Sequence, residues 1–317
     1  MVTNEKGVGE SDPFVVNVGV PQGSILGPLL FLIYINDIHF CNPGVNFNLF
    51  ADDSSAFFSV DNILAAITTM SECNDSVRDW AQKNGLKLND DKTAVVAFRK
   101  QDEINDMVPT VTSTKLLGVF IDSNLKFNSH FEHLANKIVS SIYCIRNLKA
   151  FLPKDKLLKA YHALVQSHIN YAVLAWGYSS QQNVSRIVRL QKWAVRTICN
   201  KTRRHSCREL FKDLKVFTLP NCYIFSACKR AFQEKSRGAI KYQKDKHYYN
   251  TRSKLLDVKF SKFSSTEKSM GSAAPVFFNK LPKTVRDAQS EIAFVSLLKG
   301  YLHRNTFYSF AEFLASP

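Results

Sequence analysis

Short apolar runs broken by turn residues fill the first third of the chain, and longer helical periods fill the rest. Phe14 to Val18 is short and β-branched and predicts a strand. Gly19 to Pro28, with three glycines and two prolines, predicts a loop. Leu29 to Ile38 is apolar on most faces and predicts a deeply buried helix. After the turn residues Asn42-Pro43-Gly44, Val45 to Phe50 and Ser55 to Val60 predict two strands, with Ala51-Asp52-Asp53-Ser54 as a hairpin tip that packs into a core. Asn62 to Asn84 repeats its apolar residues with a helical period and stops at Gly85. Thr93 to Phe98 and Leu116 to Ile121 predict strands, the second followed by a turn at Asp122 to Asn124.

From there the period is helical: Phe127 to Phe151, Lys154 to Trp176, Val184 to Asn200, Ser206 to Leu214 and Pro220 to Arg237. Gly238 to Gly271 is polar and weakly periodic and predicts a loop. Ala274 to Pro282 predicts an aromatic turn segment, and Ile292 to Arg304 a last helix. The expected fold class is therefore α+β, in three parts: a small α+β part over 1–126, an all-helical part over 127–237, and a tail over 238–317.

Charge sharpens this division. Residues 1–145 hold 10 Lys+Arg against 17 Asp+Glu, a net of −7, whereas residues 146–317 hold 32 against 10, a net of +22. Such asymmetry points to a polyanion held by the back half, the alternative being a solvated basic surface. The seven cysteines (41, 73, 144, 199, 207, 222, 228) contain no Cys-x-x-Cys and fit no common zinc spacing, so they read as buried free thiols of a reducing compartment. The polar first residues are no signal peptide, and the longest apolar run, "PLLFLIYI", is too short to span a bilayer, so a soluble, intracellular (cytoplasmic or nuclear) protein is expected.

The candidate chemistry centres on Asp52-Asp53. Two adjacent carboxylates between apolar flanks repel each other and need a counter-charge, which a divalent cation with hard oxygen ligands supplies. The alternative is an ordinary acidic β-turn. Upstream, "PQGS" (Pro21, Gln22, Gly23, Ser24) offers a glycine loop able to approach a flat ligand or phosphate, or simply the start of a helix with Ser24 as its cap.

Four stretches, "GVPQGSILGPLLFLIYINDI", "LFADDSS", "NGLKLNDDKTAVVAF" and "KLLGVFIDSNLKFNSHFEHLANKI", occur in that order. Together they resemble motifs B to E of the palm of non-LTR retrotransposon reverse transcriptases, especially the Jockey-like elements. The helical stretches "AYHALVQSHINYAVLAWG" and "RIVRLQKWAVRTIC" resemble the thumb and C-terminal segment of those elements, and "YNTRSK" and "FFNKLP" resemble their tail. The resemblance implies a partial polymerase palm followed by a thumb-like region. It also implies an RNA-directed DNA polymerase that works by two-metal nucleotidyl transfer, using Mg2+ or in its place Mn2+. The implied partners are an RNA template, a DNA primer and deoxynucleoside triphosphates, with no membrane.

By the same resemblance, Asp52 is the direct metal ligand with Asp53 beside it, and Pro21, Gln22, Gly23 and Ser24 line the nucleotide and template pocket. Lys92 serves the leaving pyrophosphate or is a plain solvent lysine. Leu117 and Gly118 form the primer grip or an ordinary hairpin strand. On the helix after Val184, Arg186, Arg189, Lys192 and Arg196 recur at spacings of three and four as phosphate contacts, with Val188, Trp193 and Val195 expected to face the core. "KTRRHSCR", with Arg203 and Arg204, is a second phosphate candidate or a nuclear import signal. The family's motif A aspartate and fingers precede the Pro-Gln-Gly loop. Only eighteen residues stand before Gly19, and the sole aspartate there, Asp12, lies in an unsuitable context. The expectation is thus an N-terminally truncated polymerase segment, inactive alone, or a non-catalytic nucleic-acid-binding remnant.

Overall fold

Three two-stranded antiparallel hairpins and a large helical assembly make up the computed structural model, which describes residues 2–4, 7–9, 19–20, 23–98, 108–238, 255–258 and 268–316. The expected strand Phe14–Val18, the residues Pro21 and Gln22, and most of the expected loop Gly238–Gly271 lie outside the described residues. The chain divides into two compact units: Met1–Val95 with Asp102–Thr110, and Val96–Gln101 with Val111–Pro317.

The first unit holds the hairpin β1 (Val2–Asn4) and β2 (Gly7–Gly9), helix α1 (Gly27–Ile35) running into a 3-10 turn (Asn36–Phe40), the hairpin β3 (Asn46–Phe50) and β4 (Asp53–Phe57), and helix α2 (Ile63–Lys83). Helix α2 begins where the Asn62 side chain accepts the Ala65 N–H at 2.8 Å, and the chain turns out of it at Gly85, φ 65°. The Trp80 indole N–H donates to Asp37 at 3.1 Å and ties α2 to the 3-10 turn.

This unit buries little. Ile35, Ile38, Val45, Cys73 and Ala81 are its buried apolar residues among those described. Helix α1, expected to be buried, instead leaves Ile33 at 66% and Leu29 at 54% exposure, because none of the described residues covers that side. The strand expected over Thr93–Phe98 does not form; those residues run without ladder partners.

The second unit contains the hairpin β5 (Ser113–Leu116) and β6 (Val119–Asp122), so the expected single strand Leu116–Ile121 is the end of one strand, the turn and most of the second strand of a hairpin. Helix α3 (Asn128–Leu148) follows. The long helix expected over Lys154–Trp176 is broken into α4 (Lys154–Tyr161), a π turn (His162–Gln166), α5 (Ser167–Asn170) and α6 (Val173–Trp176). The break falls at Ala172, whose φ of 48° no helix accommodates.

Helix α7 (Gln181–Ile198) lies beside α3 and runs the same way. Asn183 bonds Asn128 at one end of the pair (2.9 Å), and Lys149 bonds Asn200 at the other (2.6 Å). Then come α8 (Arg208–Asp213), α9 (Leu219–Ser236), α10 (Met270–Lys280), α11 (Lys283–Arg286), α12 (Glu291–Arg304) and α13 (Phe310–Ala315). The segment read as an aromatic turn is α10, a helix with Pro275 inside it.

One core unites these helices. Phe131, Ile142, Tyr161, Trp176, Val195, Phe211 and Tyr223 share it with Phe277, Phe278, Phe294 and Phe313 from the last helices. Asn221 fastens the C-terminal stretch by donating to the Leu302 carbonyl (2.8 Å) and accepting the Phe307 N–H (3.2 Å). The segments read apart as basic region and tail therefore fold on a common interior. No described helix is long and apolar enough to cross a membrane.

Candidate nucleic-acid interface

The acidic pair sits on a tight hairpin. Phe50 pairs with Asp53, so Ala51 and Asp52 alone form the turn, and Ala51 takes φ 51° to close it. Both aspartates are exposed, as is Phe50 at 64%. The expectation that this hairpin packs into a core fails: only one side of β3, Phe47 and Leu49, is half-buried. The carboxylates thus avoid the cost of burying charge and present hard oxygen donors to solvent, with no ion-pair partner among the described residues. That donor chemistry fits a divalent cation, but it amounts to two carboxylates; no group of three or more His, Cys, Asp or Glu gathers among the described residues.

In the glycine loop, Gly23 takes φ 84° with open space where a side chain would be, and the Ser24 hydroxyl accepts the N–H of Gly27, the first residue of α1, at 2.9 Å, although Leu26 and not Ser24 holds the cap position. Lys92 ends a 3-10 turn (Asp90–Lys92) and is exposed, and its N–H donates to the Asn89 side chain at 3.3 Å. The same turn is braced by an ion pair between Asp90 and Arg78.

In the second unit, Leu117 and Gly118 form the two-residue turn of the β5–β6 hairpin. Both have positive φ, 46° and 83°, as a type I′ turn requires. The turn is fastened from the helical side. The Tyr171 hydroxyl donates to the Leu117 carbonyl at 2.5 Å, and a Cβ on residue 118 would stand 3.4 Å from the Tyr171 ring. Tyr171 is itself held at the break before α6, where its carbonyl accepts the Trp176 indole N–H at 2.9 Å. Strand β6 is fixed at its far end by Asp122, which accepts the Asn128 N–H at 2.6 Å, and nearer the turn by Phe120, whose N–H donates to His130 Nδ1 at 3.5 Å.

His130 packs 4.9 Å from the Trp176 ring. Burial first, then the neighbouring His133, pushes its pKa down to about 4. It is therefore neutral near pH 7, with its proton on Nε2, since Nδ1 accepts. Lys115 stands exposed on β5, and the His133 ring packs 5.0 Å from that of Phe120 on β6. Burial, then Lys137, Lys115 and His168, depress the His133 pKa.

Along α7 the expected basic residues separate into two kinds. Arg186 and Arg189 are exposed and hold no ion pair or hydrogen bond among the described residues. Lys192 instead rests its ammonium 3.5 Å from the Tyr308 ring centre, and Arg196 donates its Nε–H to the His205 carbonyl at 2.9 Å. Burial lowers the Lys192 pKa. Arg203 and Arg204 stand exposed in the turn before α8. Val188 and Val195 face the core as expected, but Trp193 does not: its ring is 44% exposed. Cys73, Cys207, Cys222 and Cys228 are buried free thiols, whereas Cys144 is exposed and Cys41 and Cys199 are half-buried.

Sequence reading missed Tyr171 and His130, because their partners lie 54 and 10 residues away and no local pattern announces them. It also placed Trp193 on the wrong face. The turn propensity of Leu-Gly between two β-branched runs was the one local signal for the β5–β6 hairpin.

Residues 4–121 match the family described as reverse transcriptase (RNA-dependent DNA polymerase). The chain is 25% identical over 220 residues to the RNA-directed DNA polymerase from mobile element jockey of Drosophila melanogaster, covering 63% of this chain and 24% of that one. It is 29% identical over 221 residues to the jockey polymerase of Drosophila funebris (63% and 24%), and 27% identical over 227 residues to the probable RNA-directed DNA polymerase from transposon X-element of Drosophila melanogaster (64% and 24%). The chain spans about a quarter of the length of these curated relatives. No solved structure matches. Residues 4–121 thus carry a reverse transcriptase domain, and the chain is a homologue of the RNA-directed DNA polymerases of non-LTR retrotransposons.

Proposed function

We propose that this chain supplies the nucleotide-pocket loop, the metal-binding hairpin and the primer-side and thumb-like elements of an RNA-directed DNA polymerase, acting on a DNA primer, an RNA template and deoxynucleoside triphosphates with Mg2+. The observation that carries the reading is the family match over 4–121, which runs from before the Gly23 loop through the Asp52 turn to the β5–β6 hairpin. A bound divalent cation would neutralise triphosphate charge and sharpen the primer hydroxyl as a nucleophile. Asp52 and Asp53 contribute two carboxylates to holding it, displayed on a turn whose exposure leaves room for phosphate oxygens. Gly23 lets backbone approach the incoming nucleotide, and Lys92 sets a positive charge for the departing pyrophosphate. Leu117 and Gly118, held by Tyr171, present a fixed turn to the primer strand. The net +22 of residues 146–317 attracts the duplex through its phosphates without reading sequence.

The test joins residues 19–317 of this chain to the preceding segment of a jockey element polymerase and measures Mg2+-dependent primer extension on RNA. Extension is expected, with Asp52→Ala lowering it on the order of 10³-fold. Equal extension with and without Asp52 would sink the assignment. The chain by itself is expected to bind primed RNA with steep salt dependence. Binding together with a joined protein that shows no extension would instead favour a non-catalytic nucleic-acid-binding protein.

A further inference from the structure

Helix α7 carries Arg186, Arg189, Lys192 and Arg196 and not one carboxylate in its 18 residues. A helix serving only solubility would alternate signs. At 100° per residue, Arg186, Arg189, Trp193 and Arg196 fall within a sector of about 80°, strung along roughly 15 Å of axis. Trp193 lies in the middle of this stripe, 44% exposed. Among the described residues its ring has no aromatic neighbour and no cation over it, unlike Trp176, which is buried against His130 and Phe131. Among the described residues Arg186 and Arg189 have no carboxylate to pair with, and Arg196 commits only its Nε–H, to His205. The face therefore offers guanidinium groups for phosphate and one large π-surface, and among the described residues only the Arg196 Nε–H has a partner from the protein itself.

We infer that this face binds unpaired nucleotides, with a base stacked on Trp193 and the flanking phosphates held by Arg186, Arg189 and Arg196. Charge complementarity selects a polyanion. The indole selects an unpaired strand, because a base inside a duplex has both faces already stacked, whereas every base in a single strand has a face to offer. The inference rests on the reading of the chain as a nucleic-acid binder, but it adds a site for single strand that a duplex-tracking helix does not need.

Fluorescence anisotropy of the full chain with a labelled single-stranded 15-mer, as RNA and as DNA, and with a blunt RNA–DNA duplex of equal length separates the possibilities. Trp193→Ala is expected to weaken single-strand binding roughly 5- to 150-fold, the range of one base–aromatic stack. Trp193→Phe is expected to recover most of that loss, and duplex binding to change less than about twofold. Arg189→Ala is expected to weaken both and lower the salt slope by about one phosphate. Because Trp193 lies on the surface, the variants are expected to keep the parent's melting temperature; if Trp193→Ala does not, Trp193→Phe carries the comparison. Unchanged single-strand binding, or equal loss on single strand and duplex, overturns the inference and leaves the proposed function standing. Absence of binding to either probe at low salt overturns both.

Discussion

Gly118→Ala tests whether the β5–β6 turn is held in the left-handed region by its contacts. Residue 118 has φ 83°, where an alanine costs about 1–2 kcal/mol relative to glycine. The new Cβ would meet the Tyr171 ring at 3.4 Å, a van der Waals contact that adds little. The expected loss is therefore about 1–2 kcal/mol, nearly all from backbone strain. Asparagine tolerates this region, so Gly118→Asn is expected to cost less than Gly118→Ala despite its greater bulk. Tyr171→Phe removes one hydrogen bond from a side chain that is 54% exposed, expected at about 0.5 kcal/mol. Because the two residues touch, the double variant should depart from additivity. Denaturant titration followed by circular dichroism reads these differences, and thermal melts should fall by about 2–4 °C per kcal/mol for a unit of this size. If alanine is neutral, or asparagine is worse than alanine, residue 118 does not need a positive φ and the turn assignment is wrong. Primed-template binding measured on the same variants should fall with the turn's distortion if the hairpin contacts the primer.

His130 ties stability to pH. Its folded pKa of about 4 lies below the ordinary 6.5, so the unfolded chain binds the extra proton first. Stability is full above pH 6.5 and is lost as pH falls toward 4; urea midpoints between pH 4 and 7 should show this, and His130→Gln should flatten the dependence. Gln191 is fully buried on the core side of α7, donating to the Tyr161 hydroxyl (3.1 Å) and the Phe217 carbonyl (3.0 Å) and accepting the Leu219 N–H (2.8 Å). Gln191→Leu keeps the volume but strands the Leu219 N–H at the start of α9, for an expected loss of about 3 kcal/mol in denaturant unfolding; a neutral outcome would show that water reaches these groups.

Much of this architecture was legible in the residues alone. Helix α2 announced itself by period and by the Gly85 stop, both of them patterns within a few residues, and the structure adds the Asn62 cap. The Asp52 turn was legible because two apolar runs flank a short polar break, and the motif order pointed to the family that the match over 4–121 bears out. Burial was less legible, because a local pattern says that a residue is apolar and not what will cover it. The apolar α1 is exposed among the described residues, Trp193 turns outward although its neighbours Val188 and Val195 turn in, and the aromatic stretch from Ala274 folds as a helix because the common core receives Phe277 and Phe278. The break at Ala172, which places Tyr171 against the Leu117 carbonyl, depends on a contact across 54 residues. Periodicity, capping and turn chemistry act over one to four residues and so are written along the chain. Which face is covered, and which hydroxyl steadies a distant turn, is a property of packing, settled only when segments far apart in sequence compete for the same interior.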